Sequence, residues 1–111
     1  MEKEITLTEL QKEVDDWAQQ FDPPYFSPLS LLAAMIEEVG EIARVLNAEY
    51  GDKKKKDGEY LKDLEEEIGD LFFSLICMSN EEGISLTNAM DRKFDKVLKR
   101  DNNRFKRKDE V

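Results

Sequence analysis

The sequence predicts an all-α protein with a four-helix, bundle-type core, and three observations predict it. Apolar residues recur at intervals of three and four along four stretches of the chain, the period of a helix face. Capping residues, prolines and glycines punctuate these stretches where helices start and stop. Little of the chain alternates apolar and polar residues as a half-buried strand does.

The first helix is expected from Leu7 to about Gln20. Thr6 and Glu9 have the spacing of a capping box, and Ile5 is placed to staple against Leu10. Leu7, Leu10, Val14, Trp17 and Phe21 share one face, and Asp22-Pro23-Pro24 ends the helix because proline cannot continue the hydrogen-bond ladder. Ser27-Pro28, a serine cap followed by proline at the first helical position, opens the second helix. It is expected to reach Tyr50, where Gly51 offers a left-handed residue to close it. Its apolar residues, from Leu29 through Leu31, Leu32, Met35, Ile36, Val39, Ile42 and Ala43 to Leu46, cover more than one face, which implies several packing partners, another subunit among them.

A loop from Gly51 to Gly58 carries Lys53, Lys54, Lys55 and Lys56, more plausibly as a solvated turn than as a binding device. The third helix, from about Glu59 to Asn80, places Leu61, Leu64, Ile68, Leu71, Leu75 and Met78 at near-heptad spacing, and Gly83 closes it. Ser85 caps the fourth, whose face is Leu86, Met90, Phe94, Val97 and Leu98. The polar tail from Asp101 is expected to fray.

At 111 residues the chain reads as a single helical domain, 1–111. It is 40% hydrophobic, yet a helical chain this short buries a modest fraction of its surface alone, so completion by a homo-oligomer is expected. A formal net charge of -9 argues against binding a nucleic-acid polymer, which needs a basic footprint. It leaves a nucleotide substrate open, because a divalent cation inverts the local field. The single cysteine, Cys77, lies in an apolar run and reads as a buried, inert thiol; no intrachain disulfide can form. No apolar run reaches the roughly 18 residues of a membrane span, and no secretory signal is evident, so a cytoplasmic location is expected. Histidine is absent, which disfavours zinc and di-iron sites and excludes histidine-activated nucleophiles within the chain.

What remains for chemistry is carboxylate, lysine, arginine, hydroxyl and a hard metal. Glu37-Glu38-Val39-Gly40-Glu41 and Glu65-Glu66-Glu67-Ile68-Gly69-Asp70 are acidic motifs set within apolar stretches. Residues three apart share a helix face, so Glu38 projects with Glu41, and Glu67 with Asp70. Four carboxylates brought together repel one another, and an all-oxygen group of this kind suits Mg²⁺ or Mn²⁺. Each motif also holds a glycine, Gly40 or Gly69, which costs about 0.5–1 kcal/mol in a helix interior and is expected to let helices approach closely. One Glu-x-x-Glu alone is usually a solvated acidic face; two glycine-containing motifs bring the readings level.

At these residues the chain resembles the MazG-like nucleoside triphosphate pyrophosphohydrolases of the all-α pyrophosphatase superfamily. Their pattern, Glu-x-x-Glu, a variable spacer and Glu-x-x-Asp, appears as Glu38-x-x-Glu41 and Glu67-x-x-Asp70. The resemblance extends to Phe26-Ser27-Pro28-Leu29, to Leu71-Phe72-Phe73 and to the stretch from Lys93-Phe94 through Arg100-Asp101 to Arg104. It implies a MazG-like fold and an Mg²⁺-dependent hydrolysis of (d)NTP at the α-phosphorus to monophosphate and pyrophosphate, in the manner of nucleotide-pool housecleaning. It further implies Glu38, Glu41, Glu67 and Asp70 as metal ligands, with Glu38 or Glu41 doubling as general base. Mn²⁺ is the expected substitute metal. Lys93, Lys96, Arg100 and Arg104 are implied phosphate contacts, with a solvated basic face the plain alternative for each. Glu37 and Glu66, at other helical angles, either support the metal ligands from behind or face water, with water slightly favoured.

Trp17, Phe21, Tyr25 and Phe26 offer a flat apolar surface for a base, although Trp17 is more readily a core or interface residue. A homodimer or homotetramer is expected. The competing reading is a non-catalytic helical oligomerisation or regulatory module with a structural divalent-metal site.

Overall fold

The computed structural model describes residues 4–52 and 59–108. These form α1 (Leu7–Ala18), α2 (Pro28–Tyr50), α3 (Tyr60–Glu81) and α4 (Leu86–Lys96), and α4 runs on into a π-helical turn over Val97–Asp101. No strand occurs among the described residues, so the protein is all-α. The lysines at 53–56 lie outside the described residues.

The helix starts follow the caps. Thr6 and Glu9 form the reciprocal capping box, with Glu9 N donating to Thr6 Oγ1 at 3.1 Å and Thr6 N to Glu9 Oε1 at 3.0 Å. Ser27 and Ser85 accept from Ser30 N and Asn88 N at the starts of α2 and α4. The helix ends differ in three places. α1 stops at Ala18, ahead of the prolines, because Gln20 N and Phe21 N turn back to Trp17 O and Ala18 O in a tight turn. Gly51 is not left-handed: its φ is −94°, in extended backbone. The glycine is needed there for space, since a Cβ would fall 2.7 Å from the carbonyl oxygen of Asn47, whose group accepts from Gly51 N. Among the described residues, Gly83, at φ +69°, is the one that uses glycine's left-handed freedom. The tail also starts in order, since Asp101 accepts from Arg100 Nε at 3.0 Å and from Arg104 Nη1 at 3.3 Å, and Arg104 N donates to Asp101 O.

α2 and α3 form the most extensive packing in the chain. Tyr50 meets Tyr60 edge-to-face at 5.5 Å at one end, while Leu31 clusters with Ile76 and Cys77 at the other. The two helices are therefore antiparallel, in a register that sets position 38 opposite 70 and position 41 opposite 67. α1 packs on α3 and α4 near the Cys77 end, where Val14, Leu31, Ile76 and Cys77 make the buried core with Leu10, Tyr25, Met78 and Leu86 against it.

A polar lattice locks that end. Gln11 Nε2 donates to Asn80 Oδ1 at 3.0 Å and to Ile84 O at 2.8 Å, and its Oε1 accepts from Leu86 N at 2.8 Å. Asn80 Nδ2 donates to Gln11 O and to the Tyr25 hydroxyl, which in turn donates to Asp15 at 2.6 Å. Cys77 is buried as expected, and burial pushes its thiol pKa up, which suits an unreactive group.

The other end of the α2–α3 hairpin has no such cover. Leu61 is 75% exposed and Ile68 51%, and Ile36 and Val39 are also exposed. The near-heptad row of α3 thus splits, with Leu64, Leu71 and Met78 partly covered and Leu61, Ile68 and Leu75 outward. On α4, Met90 and Phe94 stand open, as does Leu98 in the turn after it. The radius of gyration is 17.8 Å, well above the about 13 Å of a compact chain of this length.

Candidate metal centre and active site

Glu38 sits near the middle of α2, and Glu67 and Asp70 sit one third and halfway along α3. The antiparallel register brings the motifs level. One oxygen from each of Glu38, Glu67 and Asp70 lies within 4.8 Å of the others. Three carboxylates from two helices so placed form a hard, all-oxygen donor set, the chemistry that Mg²⁺, Mn²⁺ and Ca²⁺ select. Their repulsion is visible in Glu67, whose pKa is raised above the usual 4.5 first by lost hydration and then by Asp70, Glu38 and Glu41. The charged groups acting on it are all acids, and a cation among them relieves that cost.

Glu41 is placed differently. It is close enough to act on Glu67, yet its carboxylate is ion-paired with Arg44, one turn on along α2. Arg44 lies outside the acidic motifs, and its signal in the sequence is the Glu–Arg spacing of three that couples helix neighbours.

Gly40 and Gly69 do not serve the close helix contact expected of them. A Cβ added at either would meet nothing within 4 Å. Both lie on exposed helix surface, two residues and so more than half a turn around from Glu38 and Glu67. Glu37 and Glu66 are exposed.

The cations expected at the phosphates lie elsewhere in the chain. Lys93 and Lys96 end α4, Arg100 lies in the π-helical turn, and Arg104 follows it. α4 packs on α1 and on that turn, and none of the four is among the groups that act on Glu67. Arg100 and Arg104 converge on Asp101, which their hydrogen bonds hold below the ordinary carboxylate range. Positions 92–108 carry nine Lys and Arg against two Asp, so this acidic protein has a strongly basic segment near its end besides the lysines at 53–56.

The aromatic surface is partly assembled. Trp17 meets Phe21 at 5.1 Å and Phe73 at 5.8 Å, both edge-to-face, and Trp17 remains half exposed. Tyr25 is committed to the polar lattice, and Phe26 stands in solvent.

Fold and site together define an all-helical protein with an acidic, metal-type group drawn from two facing helices. The MazG nucleotide pyrophosphohydrolase domain matches residues 26–105, and the chain belongs to that family. The Bacillus subtilis (strain 168) protein YpjD is 48% identical over 105 residues, covering 95% of each chain. YvdC from the same strain is 26% identical over 102 residues, 86% of this chain and 96% of its own. The crystal structure of Bacillus subtilis YPJD superposes with a TM-score of 0.78 at 47% identity, over 85% of this chain and 96% of that one. The Bacillus-conserved MazG protein, described as a nucleotide pyrophosphohydrolase, superposes with a TM-score of 0.73 at 40% identity, over 87% and 93% of the two chains. No helix among the described residues is long and apolar enough to cross a membrane.

Proposed function

We propose that the protein hydrolyses nucleoside triphosphates at the α-phosphorus, releasing a monophosphate and pyrophosphate, with Mg²⁺ as the working cation and Mn²⁺ as a substitute. The observation that carries the reading is the convergence of one carboxylate oxygen each from Glu38, Glu67 and Asp70 within 4.8 Å. Glu38, Glu41, Glu67 and Asp70 would hold the metal. When bound, the cation neutralises phosphate charge and makes water a better nucleophile.

The chain's own groups do the rest. A carboxylate of Glu38 or Glu41 accepts the proton of the attacking water as its oxygen bonds to the α-phosphorus. The bond from that phosphorus to the bridging oxygen breaks, and the electron pair leaves with pyrophosphate. Lys93, Lys96, Arg100 and Arg104 supply positive charge for the phosphates. Because these cations are not packed against the acids within one chain, we read the working form as a homodimer or homotetramer. The exposed apolar residues of α2, α3 and α4 support the same assembly.

The test is turnover of a nucleoside triphosphate panel with Mg²⁺ or with chelator, resolving both products. Monophosphate plus pyrophosphate is expected, falling by about two orders of magnitude or more in Glu41→Gln and Asp70→Asn while helical content persists. Orthophosphate as the sole phosphorus product would oppose the reading. Absence of turnover with metal bound would favour a regulatory module.

A further inference from the structure

Arg44 is the cation that the structure places against the acidic group, and the proposed mechanism gives it no work. It pairs with Glu41 across one turn of α2, while Glu38, Glu67 and Asp70 meet without Glu41. The register nevertheless puts position 41 opposite 67, so Glu41 is a side-chain rotation away from the other three. The Arg44 side chain is 77% exposed and that of Glu41 41%, so the pair sits at the open surface where an anion can reach it.

We propose that Arg44 is a positioning residue that holds Glu41 out of the carboxylate group until substrate arrives. The triphosphate then takes over the guanidinium and releases Glu41 to the metal. This rests on the reading that the four acids bind a divalent cation.

The physical case has three parts. An exposed pair of this spacing is weak, so it can be exchanged readily. A guanidinium is shaped to bind phosphate oxygens by two parallel hydrogen bonds, and a polyphosphate offers more charge than one carboxylate. Lastly, a fixed positive charge beside a metal site disfavours the empty-handed metal and favours the metal that arrives with its anion. Metal and nucleotide therefore help each other bind.

The probe is Mn²⁺ alone, titrated into the full chain without nucleotide and followed by electron paramagnetic resonance. Arg44→Gln should bind Mn²⁺ about two- to fivefold more tightly than wild type, because Glu41 is freed and a like charge is gone. Arg44→Lys, which keeps the charge and loses the fork, should fall between them. In steady-state kinetics at saturating Mg²⁺, Arg44→Gln should raise KM for the triphosphate several-fold, with a smaller effect on kcat. Unchanged or weaker Mn²⁺ binding in Arg44→Gln overturns the proposal. Glu67→Gln is the control that separates the two failures. If it leaves Mn²⁺ binding unchanged, the metal site itself is wrong, and the role of Arg44 falls with it. If Glu67→Gln loses Mn²⁺ while Arg44→Gln behaves as wild type, only the role of Arg44 is lost.

Discussion

Glu67 holds a proton more readily than an ordinary glutamate because folding strips some of its water and sets Asp70, Glu38 and Glu41 around it. Unfolding separates these acids. Between the ordinary value of 4.5 and the raised one, the folded chain thus binds more proton than the unfolded chain, and stability falls as pH rises through that interval. The expected outcome is that metal-free Glu67→Gln melts above wild type near pH 7, with the gap closing as pH drops below about 4.5. Thermal melts followed by circular dichroism in chelator check this; a variant that melts lower at neutral pH would show that repulsion is not what burdens the site. Tyr25 acts at the same scale with the opposite purpose. Burial, and then its bond to Asp15, push its pKa to about 12, so the hydroxyl stays protonated and keeps Asn80 and Asp15 in register. Tyr25→Phe removes one bond from each partner, leaving Asn80 with Gln11 and Asp15 with Gln19, and should cost about 1–2 kcal/mol in a urea titration. A loss near zero would mean that water replaces the hydroxyl freely.

Along the helices, local chemistry and tertiary demand can be told apart. The caps at Thr6, Ser27 and Ser85 act within one turn, and each forms where its sequence places it. The glycines at 40 and 69 carry a cost that no contact within the chain offsets, since a Cβ there meets nothing. Gly40→Ala and Gly69→Ala should each stabilise the helix by about 0.5–1 kcal/mol, measured by thermal or urea unfolding. If either substitution also lowers turnover, the space above the glycine is used by the ligand. Destabilisation would instead place a second copy of the chain against it.

At the scale of the molecule, one chain leaves much of its apolar surface in water. Phe94 is 58% exposed, and the acid-bearing half of the α2–α3 hairpin is covered on few sides. An assembled protein should show a dimer or tetramer mass by light scattering. Its melting temperature should fall on tenfold dilution, because association and folding are linked. Phe94→Glu should lower the mass toward that of the 13.0 kDa chain. A monomer whose melting is independent of concentration would count against the assembly.

Some of this protein was settled by its sequence and some by its packing. Helical period, capping residues and the two acidic motifs are local patterns, so the four helices and the paired acids could be read from residue spacing, while naming those acids as metal ligands came from the family resemblance. The end of α1 and the conformation of Gly51 could not, because each depends on where a neighbouring carbonyl lies. The lattice of Gln11, Asn80, Tyr25 and Asp15 joins residues as many as 69 positions apart, and no local signal announces it. At the site, sequence named four acids as equals. The structure separated them: the antiparallel register brings three together across two helices, while the fourth is held by Arg44, its neighbour one turn along the same helix.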